Sequence, residues 1–472
     1  MHQRYYTVLL ILALLTIKYH TSAQDSLNTL NSAQLISIVK QYHPVLKQAN
    51  LAILQSSAEI TIARAAFDPL LQHSSGRKTF DGTNYYNYGN TQLTIPTWYG
   101  VEVTTGIETL NGSRLDPTQT VGNNSYFGIS VPLAKDLVID KRRAYLQQAK
   151  IINQLEQVQR RAIVNDILME AIDAYWQWVN AYNTYVVIKN AVKVNEQRLE
   201  LVRKTYQFGE RPAIDTTEAL AQLQSFEYEQ NQYWLTFLNA GLALNAYLWQ
   251  ANGTPYSLPT TVVPITTWEA ETPINTLNLS ITDLLQVAQA SHPQLQVYNY
   301  KLDYLTVDRQ LKFQELLPKI NFNYNQLGKG YNILKTTTTG PLFQNNFQYG
   351  IKLEVPLRLS QGRGAYKVAQ LKLQQTNLDL ALKRQQIELK IKSYYNEMIT
   401  YVKQIQLQTL NYNNNQRLVK AEEQRFFNGE SSLFLINSRE NKTLEALEKL
   451  IALKTKYYKT LYALQWSAGL LQ

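Results

Sequence analysis

The sequence predicts a mainly α protein with a smaller β portion, built as a tandem repeat. Three observations carry that prediction. From Ala365 to Asn428 there is neither glycine nor proline, and Tyr366, Leu373, Leu380, Ile387, Tyr394 and Tyr401 recur every seven residues, the spacing of a seam along one long helix. A second such stretch runs from Leu133 to Phe208, with Leu155, Ala162, Met169 and Trp176, then Val187, Val194, Leu201 and Phe208, in the same period. His43 and Pro44 recur as His292 and Pro293, Leu35 as Leu284 and Pro69 as Pro318, all 249 residues apart. Three separated anchors at one offset mark a duplication.

The chain opens with His2, Gln3 and Arg4, an apolar run from Val8 to Ile17, and the small residues Thr21, Ser22 and Ala23. This reads as a secretory signal, because the run is far shorter than the roughly 20 residues a spanning helix needs. The expected organisation is a signal peptide over 1–23, a first repeat over 24–251, a linker over 252–278 and a second repeat over 279–472.

From Leu30 to Leu71 a helical segment breaks at His43-Pro44 and stops at Asp68-Pro69, since proline removes a donor and clashes with the preceding turn. The stretch from Leu279 to Asn325 repeats it. After Pro69 the period becomes alternating, with Val101, Val103, Thr105 and Ile107 and then a strand from Ser125 to Val131. Ile320, Phe322 and Tyr324, followed by Phe347, Tyr349, Ile351 and Leu353, form the matching hairpin. Residues 71–97 have no clear counterpart and receive no assignment. Val131-Pro132-Leu133 and Val355-Pro356-Leu357 mark where a strand meets each long helix, a junction that suits proline. Each long helix then reaches a glycine, Gly209 or Gly429, and returns as a second helix, from Pro212 to Gln250 and from Leu433 to Ser467. At about 1.5 Å per residue the rod from Ala365 to Asn428 spans on the order of 95 Å, roughly three times the hydrocarbon thickness of a bilayer.

Composition removes several classes of function. Cysteine is absent, so there is no disulfide, thiolate metal site or cysteine nucleophile. The formal net charge is +10, but Lys and Arg are scattered along helix faces of an exported chain, which describes a solvated surface and no nucleic-acid partner. Beyond the signal, the histidines are His43, His73 and His292, with no HExxH, GxSxG or phosphate-binding glycine loop. No enzyme, metal or cofactor is expected. The duplicated His-Pro pair reads as a helix-breaking device, and Trp176 and Trp178 as packing residues on a helix.

One hairpin per repeat gives four strands per chain, whereas a closed membrane barrel needs at least about eight. Copies must therefore pool strands, two copies giving eight and three giving twelve. Aromatics cluster in the hairpins, including Tyr85, Tyr86, Trp98, Tyr99, Tyr126, Phe127, Phe347 and Tyr349, as in the interfacial girdles of barrels and also in buried sandwich cores. The competing reading is a periplasmic coiled-coil adaptor or scaffold without a pore.

The whole mature chain resembles the TolC-type outer-membrane efflux family. The resemblance rests on the duplication, on strands ending in Val-Pro-Leu before a long helix, on Gly362-Arg363-Gly364-Ala365 after the second of these, and on the turn Phe208-Gly209-Glu210-Arg211-Pro212-Ala213-Ile214-Asp215. It implies a homotrimeric outer-membrane channel in which a twelve-stranded β-barrel in lipid continues as a long periplasmic α-helical barrel. It also implies partners, a periplasmic adaptor and an inner-membrane pump, in an efflux or type I secretion system. In that family a tyrosine, an arginine and paired acids near the turn glycine close the periplasmic end. Tyr206, Gly209, Arg211, Asp215 and Glu218 reproduce the spacing in the first repeat. The second repeat has Phe426, Gly429 and Ser431, with Leu435 and Ser438 in place of the acids, which departs from the family pattern. The same residues also fit a local role, with acids favoured by the dipole of the helix start and Arg211 pairing Asp215 on the surface.

Overall fold

A computed structural model describes residues 29–113, 116, 119–268, 280–333 and 342–471. The expected signal peptide and residues 269–278 of the linker lie outside the described residues. Eight helices are described: α1 (Ser32–Tyr42), α2 (Pro44–Ala65), α3 (Lys141–Gln207), α4 (Ala213–Asn245), α5 (Ile281–Ser291), α6 (Pro293–Gln314), α7 (Ser360–Phe427) and α8 (Leu433–Ser467). The strands are β1 (Thr29–Leu30), β2 (Leu70–Phe80), β3 (Thr83–Pro96), β4 (Glu102–Asn111), β5 (Gly122–Pro132), β6 (Val263–Pro264), β7 (Lys319–Lys329) and β8 (Phe347–Glu354). None of the described helices is long and apolar enough to cross a membrane. By contacts the chain divides into two units, one made of 1–39, 171–276 and 405–455 and the other of 40–170, 277–404 and 456–472.

The offset of 249 residues relates α1 to α5, α2 to α6 and β2 to β7 at both of their ends. The repeated His-Pro pair explains why those helices begin where they do. His43 and His292 are the N-caps of α2 and α6, and each ring Nδ1 accepts a backbone N–H two residues on, from Val45 at 3.3 Å and from Gln294 at 3.1 Å. Pro44 and Pro293 follow in the first helical turn, where a missing N–H costs nothing. His292 also bonds the Ser467 backbone; burial first, and then the charges of Lys383 and Lys390, push its pKa down to about 4. It is a neutral structural cap.

The second unit holds a six-stranded antiparallel sheet in the order β2-β3-β4-β5-β7-β8. This corrects the expected four strands. Residues 71–97 form most of the hairpin β2–β3, closed at Asp81 and Gly82 with φ of 48° and 72°, the two-residue turn for which Asp-Gly is suited. Strand polarity concealed it, since Gln72, His73, Ser74, Ser75, Arg77 and Lys78 leave no apolar alternation on either face. Paired residues share a face in an antiparallel sheet, so Ile95, Val103, Ile129, Tyr324 and Tyr349 form one row of a common face. Phe127, Val131, Phe322, Ile351, Leu353 and Phe347 lie on that same face. The opposite face carries Thr104, Gly128, Asn325 and Gln348 in one row. Across β4, β5, β7 and β8 one side is thus mainly apolar and the other mainly polar, with Leu110, Tyr126 and Leu327 as the apolar exceptions on the second side, the division a membrane wall needs.

The first unit is helical, apart from the parallel pair β1–β6, through which the linker contributes a short strand. Trp176 and Trp178 are buried there as expected, Trp178 stacking on Phe237 with ring centroids 6.1 Å apart. The heptad reading of α7 holds, because none of its six seam residues is exposed. The reading of the second half of α3 does not. Val194, Leu201 and Phe208 are exposed, while Ala181, Ile188, Asn195 and Val202 occupy the buried seven-residue track. The bulkier apolar residues lie off the buried track, which instead admits Asn195, whose amide donates to Glu440 at 3.2 Å and to the Ala191 carbonyl.

Candidate functional site

The candidate site is the pair of turns at the ends of the helical hairpins α3–α4 and α7–α8, both within the first unit. The turns are built alike. Gly209 and Gly429 have φ of 72° and 77°, and the next residues, Glu210 and Glu430, donate back to the carbonyls of Thr205 and Arg425. This is a left-handed helix stop that glycine alone adopts freely. Beneath the turns Val202, Ala219, Leu223, Phe226, Phe426, Leu433 and Ile436 pack in one buried cluster, so the two hairpins of a chain share a core at this end.

The structure brings together two predicted residues from different repeats. Arg211 donates to the Phe426 carbonyl, and its guanidinium carbon lies 3.8 Å from the centroid of the Phe426 ring. The expected surface pairing of Arg211 with Asp215 is replaced by this contact, which uses a cation–π face and a charge-assisted hydrogen bond together. Glu218 accepts from the Asn437 amide on α8 at 3.4 Å. Burial first, and the Asp215 charge second, raise its pKa. Asp215 sits in the first turn of α4. Tyr206 is exposed, as is Phe208, at 79 %.

The second turn carries a polar set that the repeat spacing did not reveal. Ser431 donates to Glu422, which Arg425 approaches at 3.7 Å, and Arg425 also reaches Glu430 at 4.0 Å. Further along the same bundle, Arg198 donates to Glu440 with both terminal nitrogens, Nη1 to Oε2 at 2.5 Å and Nη2 to Oε1 at 3.2 Å. Their side chains are only 10 % and 11 % exposed. Asn195 and Glu423 complete that group, Glu423 at 3.5 Å from Arg198. Arg198 lies three residues after Asn195 on α3, so both share a face; an acid far away in sequence was the missing half of the signal. The Asn437 Oδ1 atom is buried without a hydrogen-bond partner in the chain. No group of histidines and acids able to hold a metal is found among the described residues.

Residues 284–470 match the model of the family described as outer membrane efflux protein. No curated protein gives a significant sequence match. Among solved structures, the fold is similar to the CmeC outer membrane channel of Campylobacter jejuni, with TM-score 0.63, 15 % identity, and 93 % of this chain and 85 % of that one covered. The outer membrane protein VceC of Vibrio cholerae matches with TM-score 0.63, 15 % identity and 93 % and 96 % coverage. The open state of the Neisseria gonorrhoeae MtrE outer membrane channel matches with TM-score 0.63, 13 % identity and 93 % and 88 % coverage.

Proposed function

We propose that the chain, whose residues 284–470 match the outer membrane efflux protein family, is a member of that family and that three copies pool their strands into one barrel in lipid. The protein is an outer-membrane exit duct of efflux systems and not an enzyme. Its four paired long helices per chain, α3, α4, α7 and α8, form the walls of a periplasmic tunnel in the trimer. A periplasmic adaptor and an inner-membrane pump deliver the substrate, and the duct conducts it passively. The observation that carries the reading is the sheet with one apolar and one polar face. A soluble adaptor would cover that apolar face with a second sheet, yet Tyr349, Ile351 and Leu353 are about 60 % exposed.

The hairpin ends are the adaptor-facing, closable mouth in this reading. Arg211 on Phe426 ties the two turns of one chain together, which holds the mouth narrow. Phe208 and Phe427, exposed at 79 % and 70 % just before the turn glycines, offer the adaptor an apolar contact from each hairpin. Asp215 and Glu218 share a face of α4, and threefold symmetry would gather their carboxylates into a ring that attracts cations in a narrow, low-dielectric mouth. Replacing both with Ala should lower cation selectivity and weaken block by multivalent cations in planar-bilayer recordings while the trimer persists. Wild-type selectivity with reduced thermal stability would reassign both acids to local structure. Because the Glu218 pKa is raised, wild-type selectivity should begin to decline, on acidification, at a pH above the ordinary glutamate range.

A further inference from the structure

The duplication relates more than helices. β2 leaves α2 through Pro69 as β7 leaves α6 through Pro318, and the two strands coincide end to end at the 249-residue offset. Likewise β5 and β8 are the strands that run into Val131-Pro132-Leu133 and Val355-Pro356-Leu357 before α3 and α7. Within one chain, the closing strand of the first repeat, β5, pairs antiparallel with the opening strand of the second, β7. The closing strand of the second repeat, β8, has no such neighbour. Nor has the opening strand of the first, β2. These are the two outer edges of the sheet.

We propose that β8 of one copy pairs with β2 of the next as β5 pairs with β7 within a chain, so that every copy supplies six strands and three copies close a wall of 18. The proposal rests on the trimeric duct reading. Because six is even, β8 and the neighbouring β2 run antiparallel without any change of direction, and full closure leaves no sheet edge exposed. The alternative wall of twelve would join β8 to β4 and give up the ten residue pairs that β3 makes with β4. The internal pairing also fixes the register. Ser130 lies opposite Asn323, and the repeat offsets carry these positions to Glu354 and Ser74. Leu353 then meets Ser75 and Ile351 meets Arg77 on the outer face. Arg77 stands four residues before the Asp81-Gly82 turn, near headgroup level, where a cationic side chain on the lipid side costs little.

The native chain has no cysteine, so paired cysteines report directly. The full-length variant carrying Ser74→Cys and Glu354→Cys should form two-chain and three-chain disulfide bands on non-reducing gels, and either single variant should give no three-chain band. The same ladder from Thr104→Cys with Glu354→Cys, and none from the first pair, would overturn the proposal. A strand count by cryo-electron microscopy of the detergent-solubilised wild type decides independently: 18 supports it and 12 overturns it. A native mass of two chains together with a Ser74–Glu354 disulfide band of two chains and no larger would reject the trimer while leaving the β8–β2 edge intact, which separates the two failures.

Discussion

The two repeats agree where the backbone is capped and differ where it is paired. Helices α1 and α2 match α5 and α6 residue for residue, because a histidine cap and the proline behind it fix where each second helix starts. The sheet has no such anchor. Between the same helices, among the described residues, the first repeat holds β2, β3, β4 and β5 and the second β7 and β8, a difference of one hairpin that leaves strand direction at both ends unchanged. The lesson is that a duplicated fold tolerates insertion in whole hairpins, whereas insertion in a capped helix would rotate every later side chain to another face.

The largest expected effect comes from a residue that one repeat has and the other lacks. The counterpart of Arg198 in the second repeat, at the spacing of the turn glycines, is Leu418. Giving the first repeat that leucine, Arg198→Leu, leaves Glu440 buried beside Asn195 without its guanidinium. Breaking such a pair from one side costs about 3–5 kcal/mol, to be read from denaturant or thermal unfolding of the detergent-solubilised channel. Arg198→Leu combined with Glu440→Leu should recover most of that loss. If the single variant unfolds like wild type, the ion pair is a surface contact.

Sequence reading reached the helices more readily than the strands for a physical reason. The His-Pro pairs, the turn glycines and the α7 seam are local signals, and each is reproduced in the structure. The β2–β3 hairpin carried one local signal, Asp81-Gly82, next to a first strand with no apolar alternation, and that polar composition hid it. At the hairpin ends the individual residues were legible but their partners were not. Nothing near Arg211 in sequence points to Phe426, 215 residues away, and Asn195 looked like a poor seam residue until Glu440 and Arg198 were placed beside it. Contacts that join the two repeats depend on packing, and the repeat spacing does not encode them.

A smaller effect should come from the buried capping histidine of the second repeat, read by pH. The pKa of His292 is about 4 when folded, against an ordinary value of 6.5, so the unfolded chain binds the extra proton first. Stability from this group is complete above about pH 6.5 and falls as the pH drops toward 4, by up to about 3 kcal/mol. His292→Asn, which keeps a capping side chain, should flatten that slope in unfolding midpoints taken between pH 7 and 4. An unchanged slope would mean that His292 is protonated in the folded protein or that another group sets the dependence.

The central claim is that the sheet of this chain becomes a wall in the outer membrane, and separating the cell envelope tests it most directly. Expressed at native level in a Gram-negative cell, the protein should be recovered with outer-membrane fragments and released by detergent, not by salt or osmotic shock. Recovery as a soluble periplasmic species without detergent would contradict the account, leaving the apolar face of β4, β5, β7 and β8 to be covered by another protein.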